Sequence, residues 1–175
     1  MVLKINSDEN ITNIAEIRSD KYLAFSPPLC YSRGMELELV TLAGTKLHET
    51  VYEVMLPTLE GEISVFPSHE ALVTVAVPGA VTVRRNKGDG DDKLEYFAIS
   101  GGVVQINQER VRILVDEADH GEDIIEAESQ AALERALKMQ EESNDQVELE
   151  KAHQLVDRHA VRLKVAELHR RKRRR

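Results

Sequence analysis

Residues 35–40 read MELELV. Met35, Leu37 and Leu39 alternate with Glu36 and Glu38. That is the period of two of a strand with one buried and one wet face, not the 3.6 of a helix. Reading downstream, turn signals recur at Ala43-Gly44, Pro57, Glu60-Gly61, Pro67-Ser68, Pro78-Gly79, 88–92, Gly101-Gly102 and Asn107. Between them sit short Val- and Ile-rich runs at 51–56, 63–66, 72–77, 80–85, 94–100, 103–106 and 111–115. Short strands at roughly 8 to 12 residue spacing predict a sandwich or barrel. No helix-length pattern interrupts them, so the sheet is expected to be mainly antiparallel.

Beyond residue 117 the composition changes. The segment holds no Pro and no Gly after Gly121. Two stretches, 122–142 and 146–174, are built from Ala, Leu, Glu, Lys, Arg and Gln, the good helix formers. Ser143, Asn144 and Asp145 between them predict a break and an N-cap. Leu149, Ala152, Val156, His159, Leu163 and Ala166 step by three and four, giving one apolar stripe. Ile125, Ala132, Ala136 and Met139 form the matching stripe on the first helix. An antiparallel helical hairpin follows, with a thin seam that is marginal on its own.

Charge divides this hairpin. Residues 117–150 carry twelve acidic and two basic side chains, whereas 151–175 carry ten basic and two acidic. Folded back, the basic end of the second helix meets the acidic start of the first, through attractions that salt screens over roughly 8 Å. The chain ends in six consecutive bases, Arg170, Arg171, Lys172, Arg173, Arg174 and Arg175. No aromatic residue is interleaved for base stacking, so an acidic protein surface suits this tail better than nucleic acid.

The 175 residues allow one ordinary domain plus an appendage. A net charge of −8 argues against general nucleic-acid binding. The single Cys30 excludes an internal disulfide framework and fits a reducing compartment. No apolar run approaches the roughly 20 residues of a spanning helix, and the first residues lack the basic-then-apolar pattern of a secretory signal. The expected organisation is a poorly ordered extension at 1–34, a β-sandwich domain at 35–120, and a helical hairpin with a basic tail at 121–175.

Candidate chemistry is sparse. Ser68, His69 and Glu70 are sequence neighbours, and neighbouring side chains in a turn point in different directions. They cannot by themselves form a nucleophile–base–orienter chain. His48 is expected alone in a loop. His153 and Asp157 share a helix face but lack a third ligand. The turn 99–102 has the glycines of a phosphate loop without the helix N-terminus that would hold an anion. A tight turn between two strands accounts for both glycines.

The order of features over about residues 36–170 resembles the epsilon subunit of the F-type ATP synthase, called delta in mitochondria. The residues that carry the resemblance are Gly61-Glu-Ile-Ser-Val-Phe-Pro-Ser-His69, Val77-Pro-Gly79, Tyr96-Phe-Ala-Ile-Ser-Gly-Gly102, Val111-Arg-Ile-Leu-Val-Asp116 and Arg162-Leu-Lys-Val-Ala-Glu-Leu168. The resemblance implies an α+β fold: an antiparallel β-sandwich of roughly ten strands, then an antiparallel two-helix hairpin. It implies a non-catalytic rotor subunit of the central stalk. The sandwich would couple the gamma subunit to the c-ring, at the cytoplasmic face of a bacterial plasma membrane, touching membrane only through the complex. Glu60, Glu62, Ser68, His69 and Glu70 become c-ring docking residues. Extended, the hairpin would insert between gamma and the alpha/beta head and block ATP hydrolysis, with residues 170–175 meeting an acidic loop of beta.

Some bacterial members bind ATP on the hairpin. Asp119, Arg135, Arg158 and Arg162 match part of that pattern and are the candidate nucleotide-binding residues. Ile125 and Glu128 stand where the pattern has Asp and Arg, and Glu128 repels phosphate. ATP sensing is therefore expected to be weak or absent, with no cofactor or metal. Arg158 and Arg162 are expected to face gamma, the alpha/beta head or the first helix. In the docking motif Ser68 and Glu70 replace the family's Gly and Ala, and Ala71 its Pro. Ser68 in place of Gly predicts a turn that has either abandoned positive φ or is strained. The competing reading is a free-standing β-sandwich adaptor whose basic helical tail binds acidic protein or anionic surfaces.

Overall fold

A computed structural model describes residues 34–143 and 145–174. The extension expected at 1–34 therefore lies, but for Gly34, outside the described residues. Ten strands follow in order: β1 (Met35–Thr41), β2 (Gly44–Val51), β3 (Glu53–Thr58), β4 (Gly61–Val65), β5 (Leu72–Ala76), β6 (Gly79–Arg84), β7 (Glu95–Ile99), β8 (Gly102–Ile106), β9 (Arg110–Val115) and β10 (Ala118–His120). Two helices close the described chain, α1 (Glu126–Glu142) and α2 (Gln146–Lys172). This is the expected α+β architecture.

The strands form one sheet in the order β10-β7-β6-β3-β5-β8-β9-β1-β2, with β4 on the other edge of β3. The pairings are antiparallel except β1 with β9, which run parallel. The sheet curls until its ends nearly meet. Arg85, just beyond β6, bridges that seam, 2.8 Å from Glu49 on β2 and 2.9 Å from Glu95 on β7.

The opening stretch behaves as its pattern demands. Met35, Leu37 and Leu39 are each 1% exposed and point inward, while Glu36 and Glu38 face out. Arg112 on the neighbouring strand reaches Glu38 at 2.7 Å. Val54, Leu56, Val65, Val81, Val83, Phe97, Ile99, Val104, Val111 and Ile113 fill the interior around them. Each such side chain contributes about 1.5–3 kcal/mol, so the sandwich holds itself together without the helices.

His48 departs from expectation. It sits within β2, opposite Glu38, and not in a loop. Its Nε2 lies 2.5 Å from Glu36. The run 44–51 was unreadable as a strand because its polar residues outnumber its apolar ones, as an edge strand permits. His48 first, then Arg110, holds the Glu36 carboxyl below its ordinary range.

The turn 99–102 also differs. It links β7 to β8, but those strands are not hydrogen-bonded to each other. β7 pairs with β6 and β10, whereas β8 pairs with β5 and β9. The glycines serve a crossing between distant strands, and Gly102 serves a close approach to β9. A Cβ on it would lie 2.1 Å from the Leu114 carbonyl oxygen.

The first helix starts at Glu126, four residues later than its composition predicts. β10 pairs with β7 through His120, and Gly121 donates its N–H to the Tyr96 carbonyl at 2.8 Å, so the intervening residues are held in a turn. Asp145 occupies the N-cap of α2 without a side-chain capping bond. The seam of the hairpin runs through Ser129 and Ala136 on α1 and Ala152 and Ala166 on α2, all buried. Ile125 and Met139, expected in that seam, are 55% and 49% exposed. Ile125 precedes the helix, and Met139 lies near its free end.

Candidate functional site

Besides the hairpin seam, α2 has a second contact face. It lies along β7 and β6 of the sandwich. The apolar part of this contact is small. Val165 is fully buried and packs with Ala166, Ile124 and Ala98, flanked by Ala80, Tyr96 and Val161. The sandwich core contains eighteen buried residues and this patch contains four, two of them alanines. Burial here offers only a few kcal/mol, a small fraction of what holds the sandwich.

Charge completes the contact. Arg158 Nη2 stands 2.6 Å from Glu117 Oε2, and Arg162 Nη1 stands 3.2 Å from Asp119 Oδ2. The spacing explains the match. Two residues along an extended chain advance about 6.6 Å, and four along a helix advance about 6 Å. Glu117 and Asp119 thus present two carboxylates at the pitch of two arginines one helical turn apart. Farther along, Arg170 Nη1 reaches Glu126 at 3.2 Å, joining the basic end of α2 to the acidic start of α1 as the charge pattern predicts.

Within the chain, Arg158 and Arg162 pair with acids of the sandwich. Glu117 was the partner that sequence reading missed. Its signal was the alternating acids at 117 and 119 set against the i, i+4 arginines at 158 and 162.

Asp119 and Arg162 are brought together, as a nucleotide site would require, but they neutralise each other. The space lined by Ser100, Glu117, Asp119, Arg158 and Arg162 is about 10 Å³. That holds about one water and no nucleotide. Arg135, on α1, donates its Nε–H to the Ala131 carbonyl of its own helix at 3.2 Å. Among the described residues no three His, Cys, Asp or Glu side chains converge as metal ligands. His153 instead lies 3.2 Å from the Gln140 amide.

The five docking candidates fall into two groups. Glu60 is in the β3–β4 turn and Glu62 is the second residue of β4; both are exposed. Ser68, His69 and Glu70 occupy the β4–β5 loop at the far end of that strand. A surface touching all five must run along β4, whose outer edge carries no partner strand among the described residues. Ser68 has φ +70°, the one non-glycine residue with positive φ among the described residues. Its N–H donates to the Gln108 carbonyl at 2.9 Å, which ties the loop to the β8–β9 turn. His69 Nδ1 donates to the main-chain carbonyl of Glu70 at 2.7 Å.

One further surface is apolar where a wet face is expected. Val75, Val103 and Leu114 lie side by side on β5, β8 and β9, and Val40 on β1 continues the row. The first three are 48%, 40% and 38% exposed, and Val73 is 70% exposed. The sequence signal was the near-continuous apolar run in 72–77 and 103–106, which marks a strand covered on both faces.

The basic tail continues α2 through Lys172. Arg171 pairs with Glu167 one turn earlier at 2.6 Å, Arg173 and Arg174 are exposed, and Arg175 lies outside the described residues. Among the described residues no helix is long and apolar enough to cross a membrane.

Comparison with known proteins gives consistent matches. Residues 34–121 match the family model described as ATP synthase, Delta/Epsilon chain, beta-sandwich domain. An ATP synthase epsilon chain of Herpetosiphon aurantiacus is 33% identical over 78% of this chain and 96% of its own length. One from Chloroflexus aggregans is 30% identical over 80% of this chain and 97% of its own. Among solved structures, a chain of the Euglena gracilis mitochondrial ATP synthase (OSCP/F1/c-ring) is similar at a TM-score of 0.65 and 28% identity. That match covers 78% of this chain and 82% of that one. A chain of the Tetrahymena thermophila mitochondrial central stalk and c-ring assembly shares the fold at a TM-score of 0.50 and 16% identity.

Proposed function

The chain belongs to the delta/epsilon family of F-type ATP synthase subunits, as an epsilon-type chain, and from that premise we propose that it is a non-catalytic rotor subunit of the central stalk with a releasable brake. The sandwich couples gamma to the c-ring. The hairpin, lifted off the sandwich, inserts toward the alpha/beta head and stops ATP hydrolysis, with Arg170, Arg171, Lys172, Arg173, Arg174 and Arg175 meeting the acidic loop of beta. The molecule sits peripherally, on a membrane complex. The division near residue 120 into a sandwich and a mobile hairpin is part of this reading.

The observation that carries it is the construction of the α2–sandwich contact. A four-residue apolar patch and two ion pairs that solvent reaches hold α2 against a sheet with its own complete core. Such a contact opens without unfolding anything else, and its charges can be replaced by similar contacts elsewhere. The apolar row through Val75, Val103 and Leu114 supports gamma as the partner of the outer face, since exposed contiguous apolar surface marks protein contact. Glu60, Glu62, Ser68, His69 and Glu70 are read as the c-ring side, lying along the free edge of β4. Because Arg158 and Arg162 are already neutralised by Glu117 and Asp119, folding down does not need a nucleotide.

The test is ATPase activity of a reconstituted alpha/beta/gamma complex with the full chain and with a chain ending at Asp145. The full chain is expected to bind and to inhibit, with inhibition weakening as salt rises. The truncated chain is expected to bind equally well without inhibiting. Equal activity with both chains removes the braking role and leaves stalk coupling alone. Failure of either chain to join gamma discards the rotor assignment.

A further inference from the structure

Three histidines line the contacts of α2 and of the β10–α1 turn. On β10, His120 Nδ1 accepts the Glu122 N–H at 3.3 Å, and its ring meets Phe97 edge-on at 4.8 Å. Directly across, His169 on α2 presents its ring at 6.5 Å from that of His120. Around the pair stand Glu95 of β7 at 3.9 Å from His120 Nε2, Glu122 and Asp123 of the turn, Lys46 of β2, and Lys172 and Arg173 of α2. Near the middle of α2, His159 has its Nδ1 buried with no hydrogen-bond partner among the described residues. It faces Arg158 and Arg162 on its own helix, Arg135 on α1 and Glu117 of the sandwich.

We propose that acid releases the hairpin, because protonating His159 and His169 puts charge into contacts built around neutral rings, charge that a helix lifted into water carries without cost. Burial lowers the proton affinity of His159 most, then Arg158, Arg162 and Arg135, against a weaker pull from Glu117. For His169 burial again leads; Glu122 opposes it, and Lys172, Arg173 and His120 add to it. The sign follows from linkage. Both histidines hold protons less well when docked, so the docked form keeps its full stability above the ordinary histidine value of about 6.5. It loses that stability as pH falls below this value. Every tenfold by which docking weakens a histidine's proton affinity becomes a tenfold rise in the undocked-to-docked ratio once that histidine titrates. This inference concerns the free chain and stands or falls without the braking role.

The experiment places fluorophores on the full chain at Ser64→Cys and Lys151→Cys, with Cys30→Ala, and follows energy transfer from pH 8 to pH 5. The undocked-to-docked ratio is expected to rise at least about tenfold between pH 7.5 and 5.5. In His159→Gln/His169→Gln it is expected to rise less than about twofold over the same range. A flat ratio in the parent chain, or the same rise in the double variant, overturns the proposal. Proton NMR of the parent chain supplies a second reading that needs no histidine substitution. His169 is expected to titrate below about 6.5, and to return toward it in Arg158→Glu/Arg162→Glu, whose hairpin is expected to dock less. A His169 midpoint that does not move between the two chains overturns it equally.

Discussion

Arg162 on the last helix and Asp119 on the last strand meet at 3.2 Å, side by side with Arg158 and Glu117 at 2.6 Å. Each of these four side chains is between 22% and 46% exposed, so solvent screens both pairs and each is worth at most about 1 kcal/mol. Reversing both arginines does more than removing the pairs, since it sets like charges face to face. Arg158→Glu/Arg162→Glu is expected to raise the undocked-to-docked ratio at least about tenfold, which is about 1.4 kcal/mol. Adding Glu117→Arg/Asp119→Arg is expected to restore docking. Energy transfer between sandwich and hairpin reads both. A quadruple variant as open as the double one would mean that the apolar patch, not charge, holds α2 down.

Ser68 supplies the second prediction. A φ of +70° costs an L-residue about 1–2 kcal/mol, and glycine escapes most of that cost. Glycine also adds freedom to the unfolded chain. Ser68→Gly is therefore expected to stabilise the fold by about 0.5–1 kcal/mol net, seen as a higher urea midpoint with unchanged slope. A lower midpoint would mean that the Ser68 side chain contributes more to the loop than its backbone costs.

These two sites show how far the sequence could be read. Alternation in 35–40 and regular turn spacing made the sandwich legible, because one wet face forces period two. Helix composition and the charge split made the hairpin legible, including the approach of Arg170 to Glu126. β2 was not legible, since an edge strand with polar residues such as Thr45, Lys46 and His48 shows little alternation. The partners of Arg158 and Arg162 were not legible either. They lie about forty residues away on another element, and only the docking angle of α2 selects Glu117 and Asp119 over the acids of α1. Ser68 was half legible: the missing glycine raised the choice between a relaxed and a strained turn, and the backbone shows strain.

Gly102 tests the sheet itself. With φ +153° and a Cβ position 2.1 Å from the Leu114 carbonyl oxygen, alanine there collides with main chain that no rotamer change can move. β8 and β9 must separate where β8 begins, opposite Val115. Gly102→Ala is expected to cost about 3 kcal/mol or more, measured by urea unfolding. A loss below about 1 kcal/mol would show that the β8–β9 pairing yields there.

The outer face of β5, β8 and β9 gives the last prediction. Leu114 pairs with Val103, and Val103 with Val75, so one substitution in the middle of the row disturbs contact on both sides. Because these side chains are 38% to 48% exposed, replacing one by a charge costs little in the free chain. In a complex the same charge is buried without a partner, which costs several kcal/mol. Leu114→Asp is thus expected to leave the melting temperature of the free chain within about 2 °C, while weakening capture of gamma at least about a hundredfold. Val73→Asp, one row nearer the sheet margin, is expected to weaken capture less. Unchanged gamma binding by Leu114→Asp would move the gamma contact elsewhere and leave the apolar row without its proposed occupant. A melting temperature that drops along with binding would show that Leu114 supports the sandwich instead of the assembly.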